Sequence, residues 1–218
     1  RRNVGLKILL FNNEIYGLTK GQYSPTSRPG TVSPSSPAGS TDMPVSPGQF
    51  ALGAGAKFFA RAIDTDKAGL GDVLRKAHAF DGASFTEIFQ NCIVYNEDVF
   101  AAFADRKDAA NTQLHLSHGE PMLFGNDNSK GIRFNPETFA LEVIDAKQSP
   151  GDVLVHDETN AVLARLLVDL QLPVALGIIY RQTAEPYEHA FHAHHPTGMK
   201  RTRSVAEVIK GPNSWVVT

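Results

Sequence analysis

The chain has 218 residues, 42% of them hydrophobic and 20% charged, with a formal net charge of −2. That length and apolar share suffice for a substantial buried core, and the near-neutral balance argues against a general nucleic-acid or membrane surface. No apolar run approaches the ~18 residues of a membrane span, and one cysteine excludes an internal disulfide framework and suits a reducing cytosol, so a cytoplasmic setting is expected.

The first predicted element is Val4 to Phe11, a nearly continuous apolar run of strand length. It reads as a central strand of a parallel sheet, covered on both faces. Open α/β sheets hold their ligands at the carboxyl ends of such strands, which is where Asn12 and Asn13 stand. An Asn amide oxygen suits a hard cation, and magnesium usually takes few protein oxygens and fills its octahedron with phosphate and water. Gly17 and Gly21 permit close backbone approach, leaving the N–H groups of Gly17, Leu18 and Thr19 to face phosphate oxygens. Taken alone, the Asn pair reads more simply as a turn leaving a strand.

Gly21 to Phe50 carries six prolines, seven serines and four glycines. Such a stretch forms neither helix nor central strand, and a loop this long is either functional or a flexible surface excursion. Alternating elements follow: a short helix from Pro47 to Ala54, a strand from Ala56 to Ile63, a helix from Lys67 to Ala79 and a strand from Ala83 to Gln90. Asp64 and Asp66 lead into the second helix and are expected as a cap and first-turn charges rather than metal ligands. Cys92 follows the strand from Ala83 to Gln90, on the same rim of the sheet as Asn13. A lone cysteine there is, on residue type alone, more often an inert core residue.

Beyond Cys92 the pattern predicts an amphipathic helix over Glu97 to Asn111. A hairpin is predicted to join Met122–Gly125 to Gly131–Phe134, then a helix over Thr159 to Gln171 and a strand over Val174 to Tyr180. His118-Gly119-Glu120-Pro121 reads as an acid/base pair or, equally well, as a turn entering the hairpin. His189, His192, His194 and His195 crowd together near the end, but Pro196 breaks any helix and no specific metal site is expected there.

The run Asn12-Asn13-Glu14-Ile15-Tyr16-Gly17-Leu18-Thr19-Lys20-Gly21-Gln22-Tyr23-Ser24-Pro25-Thr26-Ser27 resembles the second half of the thiamine diphosphate fingerprint, in which a Gly-Asp-Gly precedes an Asn-Asn pair that ends a strand. As a whole it looks like the β subunit of 2-oxoacid:ferredoxin oxidoreductases, especially the 2-oxoglutarate type. Leu52-Gly53-Ala54-Gly55-Ala56, Glu87-Ile88-Phe89-Gln90-Asn91-Cys92, His118-Gly119-Glu120-Pro121 and Val155-His156-Asp157 extend the resemblance over roughly residues 1 to 185.

The resemblance implies an α/β fold: the carboxyl-terminal half of the thiamine diphosphate-binding fold, a doubly wound, mainly parallel sheet, with a smaller α+β extension. Residues 1–91 would be the binding-domain part, 92–185 the extension and 186–218 an unassigned tail. It implies that Asn13 gives its side-chain oxygen and Ile15 its carbonyl to Mg²⁺, that Gly17, Leu18 and Thr19 line the diphosphate, and that Cys92 is one of four thiolates of a [4Fe-4S] cluster. The other three cysteines belong to an amino-terminal region absent from these residues, and Cys92 alone cannot hold iron. Lys20 is the candidate cation for a substrate carboxylate; Thr31 to Pro37 lacks the lysine many relatives carry, so a second cation is unsupported. The glutamate that assists the cofactor belongs, in the family, to the partner α subunit, and Glu14 is expected to face away from the cofactor.

The implied activity is oxidative decarboxylation of a 2-oxoacid, 2-oxoglutarate foremost, to an acyl-coenzyme A, with electrons passing through the cluster to ferredoxin. The implied partners are the α subunit, ferredoxin and coenzyme A, with no nucleic acid and no membrane. Two other readings stand beside it: a non-oxidative thiamine enzyme of the decarboxylase or acetolactate-synthase kind, and a non-catalytic structural or assembly fragment. No Gly-Asp-Gly occurs in the chain, which begins Arg1-Arg2-Asn3, so a fragment lacking its upstream part, and inactive alone, is expected.

Overall fold

The computed structural model describes residues 2–194, 204–211 and 215. The chain opens with β1 (Lys7–Asn12), followed by a short hairpin of β2 (Ile15–Tyr16) and β3 (Gln22–Tyr23). Next come α1 (Pro47–Gly53), β4 (Phe58–Ile63), α2 (Lys67–Ala79) and β5 (Ser84–Phe89). Asp66 caps α2 by accepting the Gly69 N–H at 3.0 Å, which is the role its position predicted.

Two one-turn helices follow, α3 (Ala101–Ala104) and α4 (Ala109–Thr112), then β6 (Gln113–His115). The single helix expected over Glu97 to Asn111 is therefore broken in the middle. Asp105 is the reason: its carboxylate accepts the Lys107 N–H at 2.9 Å, a local turn that competes with helical pairing. The predicted hairpin forms as β7 (Leu123–Phe124) against β8 (Lys130–Asn135), and an unforeseen β9 (Ala140–Asp145) extends it to three antiparallel strands. The chain continues through α5 (Ala161–Asp169), β10 (Val174–Arg181), α6 (Tyr187–His194) and α7 (Val205–Ile209).

The main sheet has the order β1-β5-β4-β10-β6. Its pairs are parallel except β4 with β10, giving the α/β, mainly parallel architecture. Every residue of β4 is buried, because α2 packs over one face while α1 and α5 cover the other. Phe58, Ala60, Val73 and Ala77 fill the α2 side, and Phe59, Leu163, Ala164 and Leu167 the opposite one.

β1 departs from its expected central place. It is the outermost strand, paired only with β5, and Leu9 and Phe11 are 44% and 54% exposed. A continuous apolar run records that both faces suit burial, not what buries them, and the helices of this chain reach over β4, β5 and β10 instead. The expected division after residue 91 is not a division of the core either. β6 and β10 return to the main sheet, and Met122, Phe124 and Ile132 share the cluster that holds Phe59. In the region expected as an unassigned tail, α6 docks on the start of the chain, with the Tyr187 N–H donating to the Asn3 carbonyl at 2.8 Å. His195 lies outside the described residues. No described helix is long and apolar enough to cross a membrane.

His156 is 1% exposed, and one ring nitrogen, Nε2, lies 2.9 Å from the Ile178 carbonyl. A carbonyl only accepts, so Nε2 carries the proton, and Nδ1 has no partner. Protonation would bury a charge with an unmatched N–H, and burial accordingly holds the imidazole below its usual pKa, against the opposing pull of the Ile178 bond and Glu158. A depressed histidine binds its proton more readily unfolded. Its contribution to stability is complete above the unfolded pKa near 6.5 and declines as pH falls below it. Denaturant midpoints should therefore fall from pH 7.5 to pH 5.5, and the fall should shrink in His156→Gln; an unchanged pH profile in that variant contradicts the assignment.

Candidate cofactor site

The turn after β1 is built from side chains that serve the backbone. Asn13 Oδ1 accepts the Ile15 N–H and Asn12 Oδ1 accepts the Glu14 N–H, each at 3.2 Å. These Asx-type bonds hold Glu14 in the left-handed region at φ 53°, which turns the chain sharply. The Lys20 and Gly21 N–H groups close a second turn on the Gly17 and Tyr16 carbonyls, both at 3.1 Å. Among the described residues the N–H groups of Gly17, Leu18 and Thr19 are not drawn into these bonds. Leu18 is fully exposed, and Thr19 and Lys20 are also exposed.

The loop of Cys92 lies against this turn. A Cβ on Gly17 would stand 3.7 Å from Cys92 Sγ, and Asn96 Nδ2 donates to the Asn13 carbonyl at 3.0 Å. Asn96 is itself folded back on the cysteine, its N–H donating to the Cys92 carbonyl at 3.0 Å. Gly21, at φ 92°, has no room for a side chain, since a Cβ there would meet Tyr95 at 2.9 Å. Cys92 is half-buried rather than sealed in the core. The structure thus brings Asn13, Ile15, Gly17 and Cys92 to one rim, with Leu18, Thr19 and Lys20 at its exposed edge.

The long loop packs down onto the turn, with Ser27 3% and Ser40 6% exposed. Ser27 Oγ donates to the Glu14 carbonyl, Thr26 Oγ1 donates to Asn12 Oδ1 at 2.8 Å, and Gly30 and Ser40 hold the two sides of the loop together at 2.7 Å. Beneath it lies a cavity of about 480 Å³ whose lining includes Asn12, Glu14, Arg28, Arg61 and Glu87. None of the predicted cofactor residues lines that cavity. Glu14 points its carboxylate to Arg28 at 2.9 Å, and burial pushes its pKa up while the Arg28 charge pulls it down.

The residues present fit part of a magnesium diphosphate site. Asn13 Oδ1 takes one N–H and keeps a second lone pair, and three neighbouring amides stand free. No set of three or more His, Cys, Asp or Glu among the described residues is arranged to hold a metal; the carboxylate of this turn, Glu14, is engaged by Arg28, so the donors left on it are neutral. Asn96, Glu87 and Arg61 were not singled out from the sequence. A signal for the last two existed: β4 and β5 are apolar strands that each carry charge only once, with opposite signs.

A family model described as the C-terminal TPP-binding domain of thiamine pyrophosphate enzymes matches residues 1–88. Residues 1–88 therefore belong to that thiamine diphosphate-binding domain family. Across its whole length it is 38% identical to the 2-oxoglutarate oxidoreductase subunit KorB of Mycobacterium tuberculosis, of which it spans 60%. Over 63% of its length it is 34% identical to the 2-oxoglutarate synthase subunit KorB of Methanothermobacter marburgensis, covering 45% of that protein. A solved 2-oxoglutarate:ferredoxin oxidoreductase from Magnetococcus marinus, with 2-oxoglutarate, coenzyme A and succinyl-CoA bound, shares the fold. The TM-score is 0.66 at 22% identity, covering 92% of this chain and 57% of that one. In sequence, then, the chain resembles the β subunits of 2-oxoacid:ferredoxin oxidoreductases, and it spans about three fifths of the relative that it matches along its whole length.

Proposed function

We propose that this chain is the cofactor-binding part of a β subunit that takes part in the oxidative decarboxylation of a 2-oxoacid, 2-oxoglutarate foremost, to an acyl-coenzyme A. Asn13 Oδ1 and the Ile15 carbonyl would hold Mg²⁺, the N–H groups of Gly17, Leu18 and Thr19 would bind the diphosphate, and Lys20 would face a substrate carboxylate. Cys92 would supply one thiolate to a [4Fe-4S] cluster that passes electrons to ferredoxin. Thiamine diphosphate, when bound, supplies the carbanion-stabilising chemistry, while the protein orients it and excludes water. No residue here serves as the general base, a role left to a partner α subunit. A cytoplasmic setting completes the reading. Residues 1–91 would carry the cofactor and 92–185 would cover it.

The observation that best supports this reading is that the Cys92 thiol lies beside the Gly17 turn, since a non-oxidative thiamine enzyme has no use for a thiol there. Isolated from its own cells with the subunits that accompany it, the protein should reduce methyl viologen only when both 2-oxoglutarate and coenzyme A are present. Carbon dioxide release without an electron acceptor would favour the non-oxidative alternative, and no turnover with any 2-oxoacid would remove the reading.

A further inference from the structure

Glu87 sits in β5 at 1% exposure, its side chain between two partners. Arg61 Nε donates to Glu87 Oε2 at 2.8 Å, and Arg61 is anchored in turn by Nη1 to the Val168 carbonyl at 3.1 Å. The other oxygen, Oε1, accepts from Asn12 Nδ2 at 2.9 Å. An ion pair buried this deeply adds little stability over apolar side chains of similar volume. Its position suggests another use.

A carboxylate only accepts, so Glu87 dictates which end of the Asn12 amide faces it. Nδ2 points to Glu87, and Oδ1 must point the other way. There it receives the Glu14 N–H at 3.2 Å and the Thr26 hydroxyl at 2.8 Å. Those two bonds hold Glu14 at its positive φ and tie the long loop to β1. Asn13 and Ile15 flank Glu14. We propose that Glu87 is a positioning residue for the cofactor turn, acting through the polarity of the Asn12 amide and held in place by Arg61. The name given to the turn rests on the function proposed above; the positioning itself does not.

The polarity argument yields a swap. In Glu87→Gln the Arg61 donor claims the Gln oxygen, so the Gln amide nitrogen faces Asn12 and turns that side chain over, presenting a donor to the Glu14 N–H. In Asn12→Asp combined with Glu87→Gln, the new carboxylate accepts from the Gln nitrogen and still receives Glu14 and Thr26. Amide hydrogen exchange on the full chain reads the difference. Glu87→Gln should speed exchange at Glu14 and Ile15 by about tenfold or more while α2 keeps its protection, and the double variant should restore the slow rates. Val73→Ala, on the far side of the sheet, should lower Tm without moving those two amides.

Unchanged exchange in Glu87→Gln, or a double variant no better than the single, overturns the proposal. If Glu87→Gln does not fold, Asn12→Asp, which opposes two carboxylates, replaces it in the comparison with the double variant, and equal exchange in the two is again fatal. Titration with thiamine diphosphate and Mg²⁺ is a separate arm. If the variants show the exchange effect while the wild-type chain binds no cofactor, the functional reading is removed and the positioning of the turn stands.

Discussion

Phe59→Ala is expected to destabilise the chain by about 3–5 kcal/mol, the range seen when a fully buried aromatic is truncated. Phe59 is 0% exposed in β4, against Phe85 at 6.0 Å between ring centroids. The close approach of α1 depends on it, because a Cβ on Gly48 would stand only 2.8 Å from its ring. Helix α1 therefore sits down on this ring with no atoms to spare, and the space left by alanine could not be filled without moving the helix. For a chain of this length the loss corresponds to a fall in Tm on the order of 10 °C. A shift of only a degree or two would mean that α1 and α5 collapse into the gap, and that the packing over β4 is softer than its burial indicates.

The other large effect falls on Asn13. Its side chain both closes the turn on Ile15 and offers the one side-chain oxygen proposed for the metal, so Asn13→Ala removes a ligand and loosens the backbone that carries another. Losing one of so few protein ligands should cost about tenfold to a hundredfold in metal-dependent affinity, the scale seen when groups that orient a metal site are removed. Stability should change little, since Asn13 is only half-buried. A variant that binds magnesium and thiamine diphosphate as wild type does would exclude Asn13 from the site.

The parts of the fold legible in the sequence are those decided locally. α2 runs over the predicted residues because Asp66 caps it and its apolar positions recur at helical spacing. β4 and β5 are short apolar runs bounded by polar residues. The edge position of β1, the antiparallel return of β10 and the third strand β9 depend on which distant segment lies alongside, and no local pattern encodes that. Asp105 shows the same limit on a smaller scale, where one side-chain bond outweighed the apolar spacing of a whole predicted helix.

The site divides in the same way. Asn13 to Thr19 are contiguous, so a motif could name them. Cys92 was named by the resemblance, since a lone cysteine after an apolar strand reads on its own as an inert core residue. Asn96 and Glu87 were hidden because they act across separations of 83 and 75 residues, through single hydrogen bonds. Opposite charges in two neighbouring apolar strands were visible, but pairing them required the register that sets Arg61 beside Glu87.

The central claim is that the turn from Asn13 to Thr19 binds a magnesium diphosphate. Its most direct test follows the backbone amide signals of the chain as thiamine diphosphate and Mg²⁺ are added together, a measurement that registers even weak binding. Saturable shifts are expected at Gly17, Leu18 and Thr19, abolished by EDTA and by Asn13→Ala. Shifts elsewhere, shifts indifferent to the metal, or none at all would contradict it.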